Sequence, residues 1–142
     1  MMKRILAFDV GDRRIGVAVS DALGITAQPV ETYHRKGGAE KDAEYLLALA
    51  KRYAPCTLLF GLPRNMDGTY GEQAEKVKKF AQRLIDRWDG DYAFYDERLT
   101  TMAAQRVLID ADISREKRKQ VIDKMAAVVI LQGYMESHRD KL

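Results

Sequence analysis

Apolar residues along the chain form two patterns, short continuous runs and longer segments with helical spacing. The short runs predict five β-strands, at 3–10, 14–20, 29–35, 56–61 and 91–97. Apolar positions that recur every three or four residues predict four helices, at 40–54, 72–88, 101–111 and 120–138. Pro55 ends the first of these helices because proline cannot continue the backbone hydrogen bonding.

The order of these elements predicts an α/β fold with one mixed sheet. The connection VGDRR between the first two strands is short and contains Gly11 and Asp12, which favours an antiparallel hairpin. The later strands alternate with helices, which implies right-handed crossovers. The runs at 5–10 and 56–60 have no polar side, so we expect helices on both faces of the sheet.

Length and composition fit an ordinary soluble protein. The 142 residues suit one domain over 1–142, with 46% hydrophobic and 32% charged residues. No apolar run has the length of a membrane span, and the basic start MMKR leads into a strand rather than a signal peptide. We therefore expect a cytoplasmic protein with no membrane partner.

The cysteine and histidine content argues against thiol chemistry and a zinc site. Cys56 is the one cysteine and lies in the apolar run CTLLF, which favours a core position. His34 and His138 are far apart and lack the spacing of zinc ligands.

The net charge of +3 permits a polyanionic partner without requiring one. Two segments concentrate the positive charge. For 76–87 a solvated helix face is the favoured interpretation. For 114–120 (SREKRKQ), a solvated face and a nucleic-acid contact are equally supported, since this run precedes the last helix.

Three acidic residues stand out against apolar surroundings. Asp9 and Glu97 each end an apolar strand, and the carboxyl ends of parallel strands are where ligands collect in such sheets. Asp123 shares a helical stripe with Ala126 and Ala127, so it is expected to face the sheet. The alternatives are a surface position for Glu97 and, for Asp123, an acid favoured in the first helical turn by the helix dipole.

Three carboxylates directed at one place repel one another unless cations lie between them. Mg²⁺ or Mn²⁺ is commonly held by a few carboxylates together with water and phosphate oxygens. Two such ions, roughly 3.5–4 Å apart, activate water and stabilise the leaving oxygen in phosphodiester cleavage. The pattern therefore points to a metal-dependent nuclease.

Four blocks strengthen this interpretation: FDVGDRRIGVAVSD, GLPRNMDGTYGEQA, YDERLTT and IDKMAAVVILQGYM. In this order they resemble the YqgF family, also called RuvX, of the ribonuclease H-like superfamily. The resemblance implies strand order 3-2-1-4-5 with strand 2 antiparallel, and a Mg²⁺- or Mn²⁺-dependent endonuclease whose catalytic and metal-binding acids are Asp9, Glu97 and Asp123. It also implies processing of the 5′ end of precursor 16S ribosomal RNA, with resolution of branched DNA (Holliday junctions) as the alternative.

One departure bears on that alternative. Resolvases of the related RuvC type carry two acids one turn apart on the last helix, whereas the residue three positions after Asp123 is Ala126. Three acids remain, which favours RNA processing over junction resolution.

The predicted nucleic-acid contacts lie near the same edge of the sheet. Glycines and a proline explain the turns of the loop at 61–74, but they do not explain its polar residues Arg64, Asn65 and Asp67. Ion pairing or solvent exposure remains the alternative for the arginines. The full set of predicted contacts is Arg13, Arg14, Arg64, Asn65, Arg98, Arg115, Lys117, Arg118 and Lys119.

Two other functions stay open. The segment DVGDRRIGVAVSD is similar to the phosphate-binding hairpin of the actin, sugar-kinase and Hsp70 group, so an ATP-binding module is one rival. A non-catalytic domain that binds RNA, the ribosome or the transcription machinery is the other. The apolar stretch 128–134 suits a core or a dimer contact, so the sequence leaves open a monomer and a weak homodimer.

Overall fold

The structure is a computed structural model that describes residues 3–65, 67–97 and 115–138, without the side chains of 97 and 115–124. The predicted helix at 101–111 and the predicted contact Arg98 lie outside the described residues. The described strands are β1 (Arg4–Val10), β2 (Arg14–Ser20), β3 (Ala27–His34), β4 (Cys56–Pro63) and β5 (Tyr92–Glu97). The described helices are α1 (Ala39–Arg52), α2 (Glu72–Ile85) and α3 (Arg115–Ser137).

The predicted sheet topology is confirmed. The five strands lie in the order β3-β2-β1-β4-β5. Strand β2 is antiparallel to both of its neighbours, whereas β1, β4 and β5 are parallel to one another. The carboxyl ends of β1, β4 and β5 therefore meet at one edge of the sheet, where the predicted acids were expected.

Helices cover both faces of the sheet, as predicted, because β1 alternates between two apolar clusters. Leu6, Phe8 and Val10 belong to a cluster formed with α1 and α2. Ala7 belongs to a second cluster formed with α3 on the opposite face. The stretch 128–134 supplies buried residues to this second cluster, so its apolar character serves the core.

The structure shifts several predicted boundaries, two of which bear on the candidate site. Helix α3 begins at Arg115 rather than near residue 120, so the basic run lies within its first turns. Arginine, lysine and glutamate are good helix formers, but they carry no apolar period to mark the start. Strand β4 continues to Pro63, because Leu62 and Pro63 pair with the end of β5. Leu62 and Pro63 are therefore strand residues rather than parts of the loop.

Candidate active site at the carboxyl edge of the sheet

Asp9 is the penultimate residue of β1 and is half-buried. Alternate residues of a strand point to the same face, so Asp9 shares the face of Ala7. Ala7 is fully buried in the cluster formed with α3. Asp9 therefore lies on the α3 face of the sheet, at the end of the central parallel strand.

Position 97 occupies the corresponding end of β5. Glu97 is the last residue of that strand and is in register with Pro63 of β4. Ala93 and Tyr95, two and four positions earlier, pack against the α3 cluster. By strand alternation, position 97 is on the same face of the sheet as Asp9.

Position 123 lies on the sheet-facing side of α3. Ala126 and Ala127, three and four residues later, are both fully buried. Residues with this spacing share one face of a helix. The alternative that Asp123 is a first-turn acid is wrong, because α3 begins at Arg115 and position 123 falls in its third turn.

The backbone thus puts the positions of the three predicted acids on one side of the sheet. Strand β4 separates β1 from β5, so two strand spacings, roughly 10 Å, separate the ends of those strands. Among the described side chains, no group of three potential metal ligands occurs. Two of the three predicted carboxylates are not among those side chains, so the metal site stays a prediction.

The hairpin that follows Asp9 is fixed by residues that sequence reasoning missed. Arg35 donates from Nε to Oδ2 of Asp42 at 2.8 Å and from Nη1 to the carbonyl oxygen of Gly11, also at 2.8 Å. Its backbone nitrogen donates to the carbonyl of Arg13 at 2.9 Å. The Tyr33 hydroxyl donates to Oδ1 of Asp42 at 2.8 Å. This network ties the hairpin to the end of β3 and the start of α1.

Position 11 requires glycine because another part of the backbone approaches it closely. Its nitrogen donates to the carbonyl oxygen of Arg14 at 2.9 Å, and a Cβ at this position would lie 2.7 Å from that oxygen. Arg13 is exposed at the tip of the turn, and Arg14 begins β2. Both arginines therefore lie beside Asp9 along the chain, and their contact with substrate stays a prediction.

Arg64 follows β4 directly, and its guanidinium group contacts other side chains of the protein. It lies 3.3 Å from Asp96 through Nη1, and its guanidinium carbon lies 4.7 Å from the centre of the Tyr70 ring. The Tyr70 hydroxyl donates to the other oxygen of Asp96 at 2.7 Å, and this contact is the main cause that raises the pKa of Tyr70. Asp96 and Tyr70 thus hold Arg64 next to the end of β5.

Asn65 shapes the turn that Arg64 enters. Its backbone nitrogen donates to the carbonyl of Thr69 at 2.8 Å, and its side-chain amide donates to the hydroxyl of the same residue at 3.0 Å. Asp67 accepts hydrogen bonds from the nitrogen and the hydroxyl of Thr69. Gly68 has a φ of 88°, which favours glycine. These contacts give the polar loop residues a structural role that the sequence did not reveal.

Three further predictions concern Cys56, a membrane span and the basic run at the start of α3. Cys56 is buried, as predicted, and burial raises the pKa of its thiol to about 11. In the described part of the chain, no helix combines the length and apolar character needed to cross a membrane. The basic residues Arg115, Lys117, Arg118 and Lys119 occupy the first turns of α3, and their contact with nucleic acid stays a prediction.

A family profile named RuvX, described as Holliday junction resolvase, matches residues 3–137. The chain belongs to the RuvX family. The resemblance drawn from the four sequence blocks is therefore confirmed.

Relatives of this RuvX chain are similar over almost its whole length. A protein of Clostridium novyi is 52% identical over 94% of this chain and 98% of its own. Proteins of Clostridioides difficile and Halalkalibacterium halodurans are 53% and 50% identical, and the matches cover 94% and 99% of their lengths. Each carries the name "Putative pre-16S rRNA nuclease".

Solved structures confirm the predicted ribonuclease H-like fold of this RuvX chain. The Thermus thermophilus RuvC in complex with a Holliday junction superposes with a TM-score of 0.54 and 13% identity, covering 94% of this chain and 96% of that one. The yeast mitochondrial resolvase Ydc2 superposes with a TM-score of 0.56 and 14% identity, and the match covers 99% of this chain and 83% of that one. At these identities the likeness concerns the fold.

Proposed function

We propose that this chain is a divalent-metal-dependent endonuclease and that Asp9, Glu97 and Asp123 are its catalytic carboxylates. The observation that carries the proposal is the shared location of the three positions. Two are at the carboxyl ends of parallel strands, and the third is on the helix that covers the same face. A nuclease is also what the relatives' names describe.

The donor set fits a hard divalent cation. Carboxylate oxygens are the ligands that Mg²⁺ and Mn²⁺ prefer, and the half-buried position of Asp9 limits competition from bulk water. A bound cation would activate a water molecule and neutralise charge on the phosphate that is cleaved. The chain's own contribution is to hold the three carboxylates on rigid elements and to position the phosphodiester backbone through neighbouring arginines.

Precursor 16S ribosomal RNA is the substrate that we propose. The relatives that are about 50% identical over nearly full length carry that substrate in their names. Branched DNA is the second candidate, since the family description and the RuvC-like fold both favour a junction resolvase. The fully buried Ala126, where RuvC-type enzymes carry a further acid, favours the RNA substrate. Processing of ribosomal RNA would place the enzyme in the cytoplasm, with the maturing ribosome as its partner.

Cleavage assays with matched variants test this proposal. Purified protein is incubated with RNA that carries the precursor 16S 5′ end, and in parallel with a four-way DNA junction, in Mg²⁺ and in Mn²⁺. Asp9→Asn, Glu97→Gln and Asp123→Asn should each lose cleavage by about 100-fold or more while their circular dichroism spectra stay native. Asp91→Asn, which changes an exposed acid at the opposite edge of the sheet, is the control and should cleave normally.

The outcomes separate the proposals. Cleavage of the RNA alone supports precursor processing, and cleavage of the junction alone supports the resolvase. If a variant that carries all three substitutions still cleaves either substrate at the wild-type rate, the proposed carboxylates are wrong. If the wild-type protein binds RNA and cleaves nothing in either metal, the non-catalytic domain is the better description.

A further inference from the structure

We propose that a basic cavity between the β1–β2 hairpin and α2 binds a phosphate of the substrate's backbone, on the face of the sheet opposite to the three acids. This inference rests on the proposed nuclease function. The cavity has a volume of about 360 Å³. Its lining includes Val10, Gly11 and Asp12 of the hairpin, Arg35 after β3, and Lys76, Lys79 and Arg83 of α2.

The cavity retains donors that the protein does not use. Arg35 gives Nε to Asp42 and Nη1 to the Gly11 carbonyl, so Nη2 makes no hydrogen bond to the described residues. Lys79 forms no ion pair with any described residue. A phosphate oxygen is a strong acceptor for these two kinds of donor. These donors are therefore available to an anion that comes from outside the chain.

The local charge balance is positive after the internal ion pairs are counted. Lys76 lies 3.6 Å from Asp12, an exposed pair of low energy. Arg83 and Arg87 share one carboxylate, that of Glu40. Lys79 has no such partner among the described residues. The surplus of positive charge distinguishes this face of α2 from an evenly paired, solvated helix surface.

The arrangement of these cations favours a polymer over a small phosphorylated ligand. Lys76, Lys79 and Arg83 are three and four residues apart, so they follow one side of α2 over about 10 Å. A single phosphate group spans much less than this distance. An extended phosphodiester backbone presents successive charges along such a row, and neutralising them releases counterions.

The position of the cavity links it to the proposed catalytic edge. Val10 lines the cavity, while the preceding residue, Asp9, lies on the other face of the same strand. A strand of nucleic acid that crosses the hairpin can therefore contact Asp9 on one side and the cavity on the other. The cavity would hold the backbone beside the phosphate that is cleaved.

Binding without cleavage tests the cavity. We would measure the affinity of the full-length protein for a labelled single-stranded RNA of 20 nucleotides in EDTA, at several salt concentrations. Lys79→Ala should weaken binding roughly three- to tenfold and reduce the salt dependence by about 0.7 in the slope of log K against log salt. Lys79→Arg keeps the positive charge, so it should retain the wild-type affinity and the wild-type salt dependence. Lys51→Ala, which removes the same charge at the opposite edge of the sheet, is the control.

The cavity assignment is overturned if Lys79→Ala changes the slope no more than Lys51→Ala does. It is also overturned if Lys79→Ala abolishes binding of inorganic phosphate or a mononucleotide and leaves RNA binding unchanged, because the cavity would then serve a small ligand. Metal-free binding does not depend on cleavage. If Lys79→Ala changes the slope but the wild-type protein cleaves nothing, the cavity is supported and the nuclease is rejected. If Lys79→Ala leaves the slope unchanged and the wild-type protein cleaves, the nuclease is supported and the cavity is rejected.

Discussion

Arg35 and Asp42 form a buried ion pair that fixes the loop following the proposed catalytic strand. Nε of Arg35 lies 2.8 Å from Oδ2 of Asp42, and their side chains are 20% and 1% exposed. The guanidinium also packs on the Phe80 ring, with its central carbon 4.8 Å from the ring centre. One arginine thereby joins β3, α1, α2 and the Gly11 carbonyl. This side chain therefore connects the Gly11 end of the β1–β2 hairpin to the elements around it.

We therefore expect Arg35→Ala to destabilise the protein by roughly 3–5 kcal/mol, because it leaves the Asp42 carboxylate buried without its cation. Urea unfolding followed by circular dichroism measures the change. The control is Lys3→Ala, which breaks an ion pair of the same 2.8 Å length with Asp91 in which both side chains are exposed. That variant should lose less than about 1 kcal/mol. Equal losses in the two variants would contradict the stabilising role of the buried pair.

Close packing between α3 and β5 gives a second prediction. A Cβ on Gly133 would lie 2.5 Å from the hydroxyl oxygen of Tyr95 and 2.9 Å from its ring carbon Cζ. Gly133→Ala should therefore destabilise the protein by about 1–3 kcal/mol, although alanine is the better helix former. In a Tyr95→Leu background, which removes the ring, the same change should cost much less. A double-mutant cycle from urea unfolding measures this coupling, and additive effects would refute it.

Alkaline stability should depend on Tyr33. Burial, followed by the hydrogen bond to Asp42, raises the pKa of Tyr33 to about 12, compared with about 10 in an unfolded chain. As the pH rises, the unfolded state therefore loses this proton before the folded state does. The contribution of Tyr33 to the free energy of unfolding is fully present below pH 10 and is lost as the pH rises through 12. Wild-type protein should lose stability relative to Tyr33→Phe across this window. Urea unfolding of both proteins between pH 9 and 12 measures the difference between their free energies of unfolding. If the pKa of Tyr33 were ordinary, this difference would stay constant over that range.

Thiol labelling tests the core position of Cys56. Because burial raises the pKa of this thiol to about 11, the native protein should react with Ellman's reagent at pH 8 far more slowly than the unfolded protein. The chain has one cysteine, so the absorbance reports this position alone. Rapid labelling of native protein, at the rate seen in urea, would contradict the buried environment.

The fold followed closely from the sequence because its central strands, β1 and β4, are almost entirely apolar. Buried parallel strands such as β1 and β4 appear as continuous apolar runs, and their alternation with helical patterns limits the topology to few choices. The boundaries were less accurate where apolar periodicity was missing. The basic first turns of α3 are helical through the propensity of their residues, without an apolar period. The last residues of β4 belong to the strand because they pair with β5.

The candidate site was predicted unevenly. Asp9 and Glu97 are candidates because an acid at the end of an apolar run conflicts with its surroundings. Strand alternation puts both positions on the α3 face, and their catalytic roles stay predictions. Arg35 and Asp42 gave no such signal, since one looks like the end of an alternating strand and the other like an ordinary first-turn acid. Their pairing is visible only when β3 and α1 are placed side by side.

The sequence by itself determined the strands and, through the four recognisable blocks, the family and the strand order that it implies; the three acids are predictions of the same blocks. The tertiary structure alone decided which polar residues hold the loops and where unused cations gather. Asn65 and Arg64 proved to be tied to Thr69 and Asp96, whereas Lys79 lines a basic cavity. These relations join residues on separate elements, and side-chain contacts of that kind leave no period or motif along the chain.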